Sequence, residues 1–156
     1  MQPSELIDTA HHLVDRNSTG KPRQSDLNRA MSTAYYAMFH ALCRNCADCV
    51  VGTRHSLRSE LAWMQAYRAA NHSTVNSRCL NKLVMNQFPK NIQEFADSFV
   101  ALQKKRHQAD YNPENEFTIY EVMTEIDAAQ KGIEKLNNSS IEDRTAFVVY
   151  TVMQKR

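Results

Sequence analysis

The sequence predicts an all-α fold, an antiparallel bundle of four to five main helices. Three observations predict it. Breakers are scarce, with 3 glycines and 4 prolines in 156 residues, and low breaker content favours helices over a turn-rich sandwich. Most of these breakers fall between segments rather than inside them. Within the segments, apolar residues recur at the spacing of a helix with one buried face.

The first helix is read over 4–16, with Ser4 as its cap and Leu6, Ala10, Leu13 and Val14 as its stripe. Gly20 and Pro22 separate it from a long second helix over 25–51, where Leu27, Met31, Ala34, Met38, Ala41 and Leu42 share one face. Gly52 ends that helix. A third is expected to begin at Thr53 and carry Leu57, Leu61, Met64 and Tyr67. Residues 71–90 read as polar and broken, a loop with a short helix over 80–85. The next helix starts near Asn91, with Ile92, Phe95, Ala96, Phe99 and Leu102 in phase. Pro89 and Pro113 bracket it. Thr118-Ile119-Tyr120-Glu121 fits a capping box ahead of the stripe Val122, Met123, Ile126, Ala129, Ile133 and Leu136. Gly132 lies inside this pattern, where it costs about 1 kcal/mol relative to Ala.

The tail reads two ways. Ser140 can cap a helix with Glu142 and Asp143 in its first turn. Residues 147–152 are β-branched and aromatic, as in a strand. The helix is favoured, because no second strand is at hand to pair with it.

Composition bounds the function classes. Apolar residues are 42% and charged residues 23%, which fits one globular domain over 1–156 and argues against disorder. The net charge of +2 gives no global field for nucleic acid, so such a role needs local basic clustering. A run of about 18 apolar residues, as a membrane span needs, is absent. Met1-Gln2-Pro3-Ser4-Glu5 lacks the basic and apolar run of a signal peptide. The expected compartment is therefore the cytoplasm, with reduced cysteines. There the Asn17-Ser18-Thr19 triplet carries no glycan.

Two places concentrate chemistry. On the second helix Arg29, Tyr36 and His40 fall within about 40° of one another, away from the apolar stripe and flanked by Ser32 and Thr33. Arg, Tyr and His combine apolar bodies with directional donors, as a cleft or an interface requires. The plain alternative is a surface helix with a packed tyrosine. The second place is Lys104-Lys105-Arg106-His107-Gln108-Ala109-Asp110-Tyr111. Extending the stripe Ile92, Phe95, Phe99, Leu102 leads into Arg106 and Asp110, so a charged pair lies in phase with the buried face. That pair is either a structural lock or part of a site. Lys104 and Lys105 point elsewhere, into water, and raise the local positive potential, which suits a phosphate.

Ala34-Tyr35-Tyr36-Ala37-Met38-Phe39-His40-Ala41 on a long helix, then Arg106-His107-Gln108-Ala109-Asp110-Tyr111 closing a later one, resembles the HEPN superfamily. More narrowly it is similar to a bacterial branch with an AYYAMFHA-type helix and an RxxADY-type helix end. The resemblance extends to about Leu136, leaving 137–156 outside it. It implies a homodimeric helical bundle that binds RNA or a nucleotide phosphate. It further implies a toxin–antitoxin or defence setting with a nucleotidyltransferase partner. In nuclease members an Arg and a His with four to six residues between them cleave RNA without metal. Here those positions hold Tyr111, Asn112 and Pro113.

A composite site remains open, with Arg106 as cation and His40 and His107 as proton carriers. Arg29, Tyr36, Lys104, Lys105, Asp110 and Tyr111 are the binding candidates. An active metal-independent endoribonuclease and a non-catalytic interaction module stand as alternatives. No cofactor or metal is expected. Cys43, Cys46 and Cys49 rotate about 60° per step around one helix rather than wrapping an ion.

Overall fold

In a computed structural model describing residues 1–15 and 20–154, the longest helix, α2 (Gln24–Val50), packs against five others. These are α1 (Pro3–Asp15), α3 (Glu60–Tyr67), α6 (Lys90–Tyr111), α7 (Ile119–Asn138) and α8 (Ile141–Val152). Two short helices, α4 (His72–Leu80) and α5 (Lys82–Met85), lie between α3 and α6. The described residues contain no strand, so the protein is all-α. Among them, no helix is long and apolar enough to cross a membrane. Arg16 and the triplet Asn17-Ser18-Thr19 lie outside the described residues.

The predicted stripe of α2 is buried throughout, from Leu27 through Leu42. Because α2 has neighbours on several sides, it also buries Tyr35, Ala37, Cys43, Cys46 and Ala47. α6 buries Ile92, Phe95, Phe99 and Leu102 as its period requires, and Asn112-Pro113 stops it. α7 begins with the expected capping box between Thr118 and Glu121. Gly132 lets α7 approach closely. A Cβ there would lie 2.9 Å from the Met38 Cε and 3.8 Å from the Phe95 Cα.

The tail is a helix. Ser140 accepts from the Asp143 amide at 3.1 Å, and Phe147 and Val148 are fully buried. Arg78 of α4 secures its far end by donating to the carbonyls of Tyr150 and Met153. The Tyr150 hydroxyl in turn donates to the Arg78 carbonyl at 2.9 Å.

Three expectations are corrected. Helix α1 starts at Pro3, which places Ser4 inside it rather than at its cap. Helix α3 starts at Glu60, not Thr53. Gly52 takes φ 121°, a turn conformation favoured by glycine, and Arg58 organises the chain between that turn and α3. Its guanidinium donates to the Gly52 carbonyl at 3.3 Å and to Glu60 at 2.8 Å, and lies 4.5 Å from the Trp63 ring. This knot leaves Leu57 and Leu61 in solvent, 75% and 87% exposed. Trp63, whose indole donates to Asp48 at 2.9 Å, and Tyr67 hold α3 to α2 instead. The stretch 71–90 is mostly helical. Asn71 and Asn81 cap α4 and α5 with their side-chain oxygens, and Val75 and Cys79 turn α4 into the core.

Candidate functional site

Along α2, three polar side chains spaced by multiples of four residues reach the end of α6 or the segment just beyond it. Gln24 exchanges two hydrogen bonds with the backbone of Phe117, both at 3.0 Å. The Ser32 hydroxyl donates to Asp110 at 2.6 Å, and Tyr36 accepts from the Arg106 Nη2 at 3.1 Å. Positions four apart lie on one helix row, so α2 presents this row to the end of α6 and the segment beyond it.

Arg106 is the centre of the arrangement. Its Nε donates to Asp110 at 2.9 Å, and its guanidinium carbon sits 5.5 Å from the Tyr35 ring and 5.3 Å from the Tyr36 ring. The side chain is 17% exposed. Burial works against its charge, but Tyr36, Asp110 and Tyr35 outweigh that and hold its pKa above the ordinary value. Arginine carries five N–H donors. The bonds above use one at Nε and one at Nη2, and the Nη1 end has no hydrogen bond among the described residues. Both Asp110 carboxylate oxygens are engaged, one by Ser32 and one by Arg106.

The other predicted residues divide. Tyr36 and Asp110 join Arg106 as described. His40 does not. Its Nδ1 meets the Tyr67 hydroxyl of α3 at 2.5 Å, because the next turn of α2 faces α3 rather than α6. His107 lies on the exposed flank of α6, its ring 4.7 Å from that of Tyr111. It turns about 100° from Arg106, so the composite of Arg106, His40 and His107 is not assembled within this chain. Lys105, expected in water, pairs with Glu125 of α7. Lys104 and Arg29 are exposed, with no side-chain hydrogen bond among the described residues.

Sequence reasoning missed His72, Tyr35 and Phe39. His72 opens α4, where its ring stacks on Phe39 with centroids 3.7 Å apart. Its Nδ1 shares a 2.5 Å hydrogen bond with the Tyr35 hydroxyl, and its ring stands edge-on to Tyr36 at 6.1 Å. Gln103 of α6 donates to its carbonyl at 3.4 Å. The signal for α4 was present: Asn71 as cap, then Val75 and Cys79 one turn apart. Burial first, then Arg106 and His40, lower the His72 pKa below 6.5. Burial raises the Tyr35 phenol, with Arg106 pulling the other way. The site thus joins a permanent cation with open donors to a neutral imidazole across a tyrosine pair.

Elsewhere, Cys43, Cys46 and Cys79 are core residues. Among the described residues no cluster of three or more His, Cys, Asp or Glu side chains could hold a metal ion. A cleft of about 330 Å³ between α1, α2 and α7 contains none of the predicted site residues. Its Arg44 is tied to Gln2 at 2.7 Å and its Asn45 to Asn137 at 3.0 Å. No family model matches this chain, and no curated protein or solved structure matches it.

Proposed function

We propose that the place where α2, α4 and α6 meet binds the phosphate of an RNA or nucleotide through Arg106. One observation carries this reading. A guanidinium with two donors spent on Tyr36 and Asp110 keeps its Nη1 end unbonded among the described residues, on a side chain that is 17% exposed, and the open end of the fork is what arginine uses to grip phosphate oxygens. Arg29 and Lys104 add exposed positive charge on the same two helices. Under this reading the chain is a HEPN-like protein that works as a homodimer. Its setting is a toxin–antitoxin or defence system with a nucleotidyltransferase partner, an assignment resting on the resemblance of the two motifs.

A second reading is favoured by Asp110. With both oxygens bonded, the pair is complete as a structural clasp between α2 and α6, as in a non-catalytic interaction module. RNA affinity and thermal stability of Arg106→Ala separate the two. A phosphate site loses about 1.5–3 kcal/mol of binding, roughly tenfold or more. A mere clasp loses stability in a protein that shows no affinity for RNA. Incubation of the parent protein with RNA, with and without EDTA, tests the endoribonuclease alternative. Cleavage that survives EDTA supports it, and intact RNA rejects it.

A further inference from the structure

Arg106 and His72 hold the same two rings from different helices. Arg106 of α6 lies 5.5 and 5.3 Å from the rings of Tyr35 and Tyr36. His72 of α4 lies 5.6 and 6.1 Å from the same rings by centroid. The tyrosine hydroxyls divide between them, Tyr36 accepting from Arg106 and Tyr35 meeting the His72 Nδ1.

This contact sets the tautomer. With the shared proton assigned to the Tyr35 phenol, the neutral imidazole carries its own proton on Nε2. That Nε2 has no hydrogen bond among the described residues, although the ring is half-buried. An imidazolium there would be an unpaired charge among Phe39, Tyr35 and Tyr36, beside a guanidinium. An anion at Arg106 removes that objection by supplying the missing counter-charge.

We propose that His72 is a second, proton-gated ligand for the anion held by Arg106. The site then grips a phosphodiester more tightly once His72 has taken up a proton at Nδ1, where the Tyr35 hydroxyl turns from donor to acceptor. The inference rests on the phosphate-site reading above. The titratable and charged groups around His72 are Tyr35, Tyr36 and His40 of α2 and Arg106 of α6, with Asp110 behind Arg106. α8 meets α4 through Arg78 and Tyr150, at the opposite end of α4 from His72. Of these groups, His40 alone shares the titration range of His72, and it is bonded to Tyr67 on another side of α2.

The direction is fixed. Free, His72 is neutral at neutral pH, since burial and Arg106 hold its proton affinity down. Bound, the anion raises that affinity. Binding therefore takes up a proton between the two titrations. Affinity grows as pH falls from above the bound titration to below the free one, then levels. Phosphodiesters do not titrate in this range, and neither does Arg106.

The test uses the full chain and a fluorescently labelled single-stranded RNA oligonucleotide. Anisotropy is measured at constant ionic strength from about pH 8.5 to about pH 5. Affinity is expected to rise as pH falls, by about tenfold for each unit the anion adds to the His72 titration. His72→Gln should flatten this rise, whereas His107→Gln, on the exposed flank of α6, should leave it. Arg106→Ala should weaken binding at every pH. A titration of the His72 ring proton by NMR reads the same linkage in the unaltered protein, and so decides the matter even where His72→Gln does not fold. Its midpoint should move upward when RNA is added. Binding that Arg106→Ala weakens, with a pH dependence that His72→Gln leaves intact or an NMR midpoint that does not move, overturns this inference alone. Absence of RNA binding at every pH overturns the phosphate-site reading together with it.

Discussion

Asp110 accepts two hydrogen bonds from two helices, one from Ser32 of α2 at 2.6 Å and one from Arg106 of its own helix at 2.9 Å. The carboxylate is thus both a tie between α2 and α6 and a competitor for the guanidinium that an incoming phosphate needs.

The two roles predict opposite signs. Asp110→Ala removes the bonds to the Ser32 hydroxyl and to Arg106, and should cost about 0.5–1.5 kcal/mol of stability. The same change frees the Arg106 Nε and removes a negative charge, so RNA affinity should rise. Parallel melting and anisotropy measurements check this. A variant that loses stability and affinity together would argue against competition between Asp110 and phosphate.

Stability should fall in mild acid. His40 and His72 are both held below the ordinary 6.5 in the folded protein, burial being the first cause for each. In the unfolded chain they titrate near 6.5, so as pH drops the unfolded state takes protons first. The loss begins near that value and continues down through the two folded-state titrations. Above it these residues contribute no slope. Melting temperature against pH, for the parent and for His40→Gln and His72→Gln, should show a shallower acid limb in each variant.

Gly132 sets the spacing of α7 against α6 and α2. Alanine there gains about 1 kcal/mol of helix propensity. It also pushes on the Met38 Cε, 2.9 Å from the new Cβ, which is the free end of a flexible chain. Gly132→Ala should therefore stay within about 1 kcal/mol of the parent. Gly132→Leu cannot be absorbed in this way and should cost about 1–3 kcal/mol or more by overpacking. Chemical denaturation of both variants measures the difference.

Thiol reactivity should divide sharply. Burial pushes Cys43 and Cys79 up to about 12 and Cys46 up to about 11. Cys49 is the one half-buried cysteine. Ellman's reagent at neutral pH should modify Cys49 first, and Cys43, Cys46 and Cys79 only on unfolding, since the thiolate is the reactive form. Rapid modification of Cys79 in the native protein would contradict the packing of α4.

The helices with their own periodicity were legible in the sequence. α2, α6 and α7 bury the faces their spacing marks, and Thr118 and Ser140 announce α7 and α8 by local hydrogen bonding. α3 was misread because Leu57, Leu61 and Met64 have helical spacing without a surface to cover. Arg58, whose contacts are with residues before and after it, decides that region, and no periodicity reports such a knot. Of the site, Arg106, Asp110 and Tyr36 could be read, since a charge in phase with an apolar stripe is visible along the chain. His72 could not be read. Its partners Tyr35 and Phe39 lie more than 30 positions away, and only the docking of α4 brings it to them.

The row formed by Gln24, Ser32 and Tyr36 makes the length of α2 discrete. One residue inserted between Ser32 and Tyr36 would turn everything after it by about 100°, carrying Tyr36 off Arg106 while Ser32 still held Asp110. The two anchors would then demand incompatible rotations of one rigid rod. Insertions in 53–57, exposed residues between α2 and α3, would have to be absorbed only by the local knot around Arg58, not by two anchors on one rigid rod. Length variation among functional versions of this protein should therefore gather in that connection and spare the span from Gln24 to Tyr36.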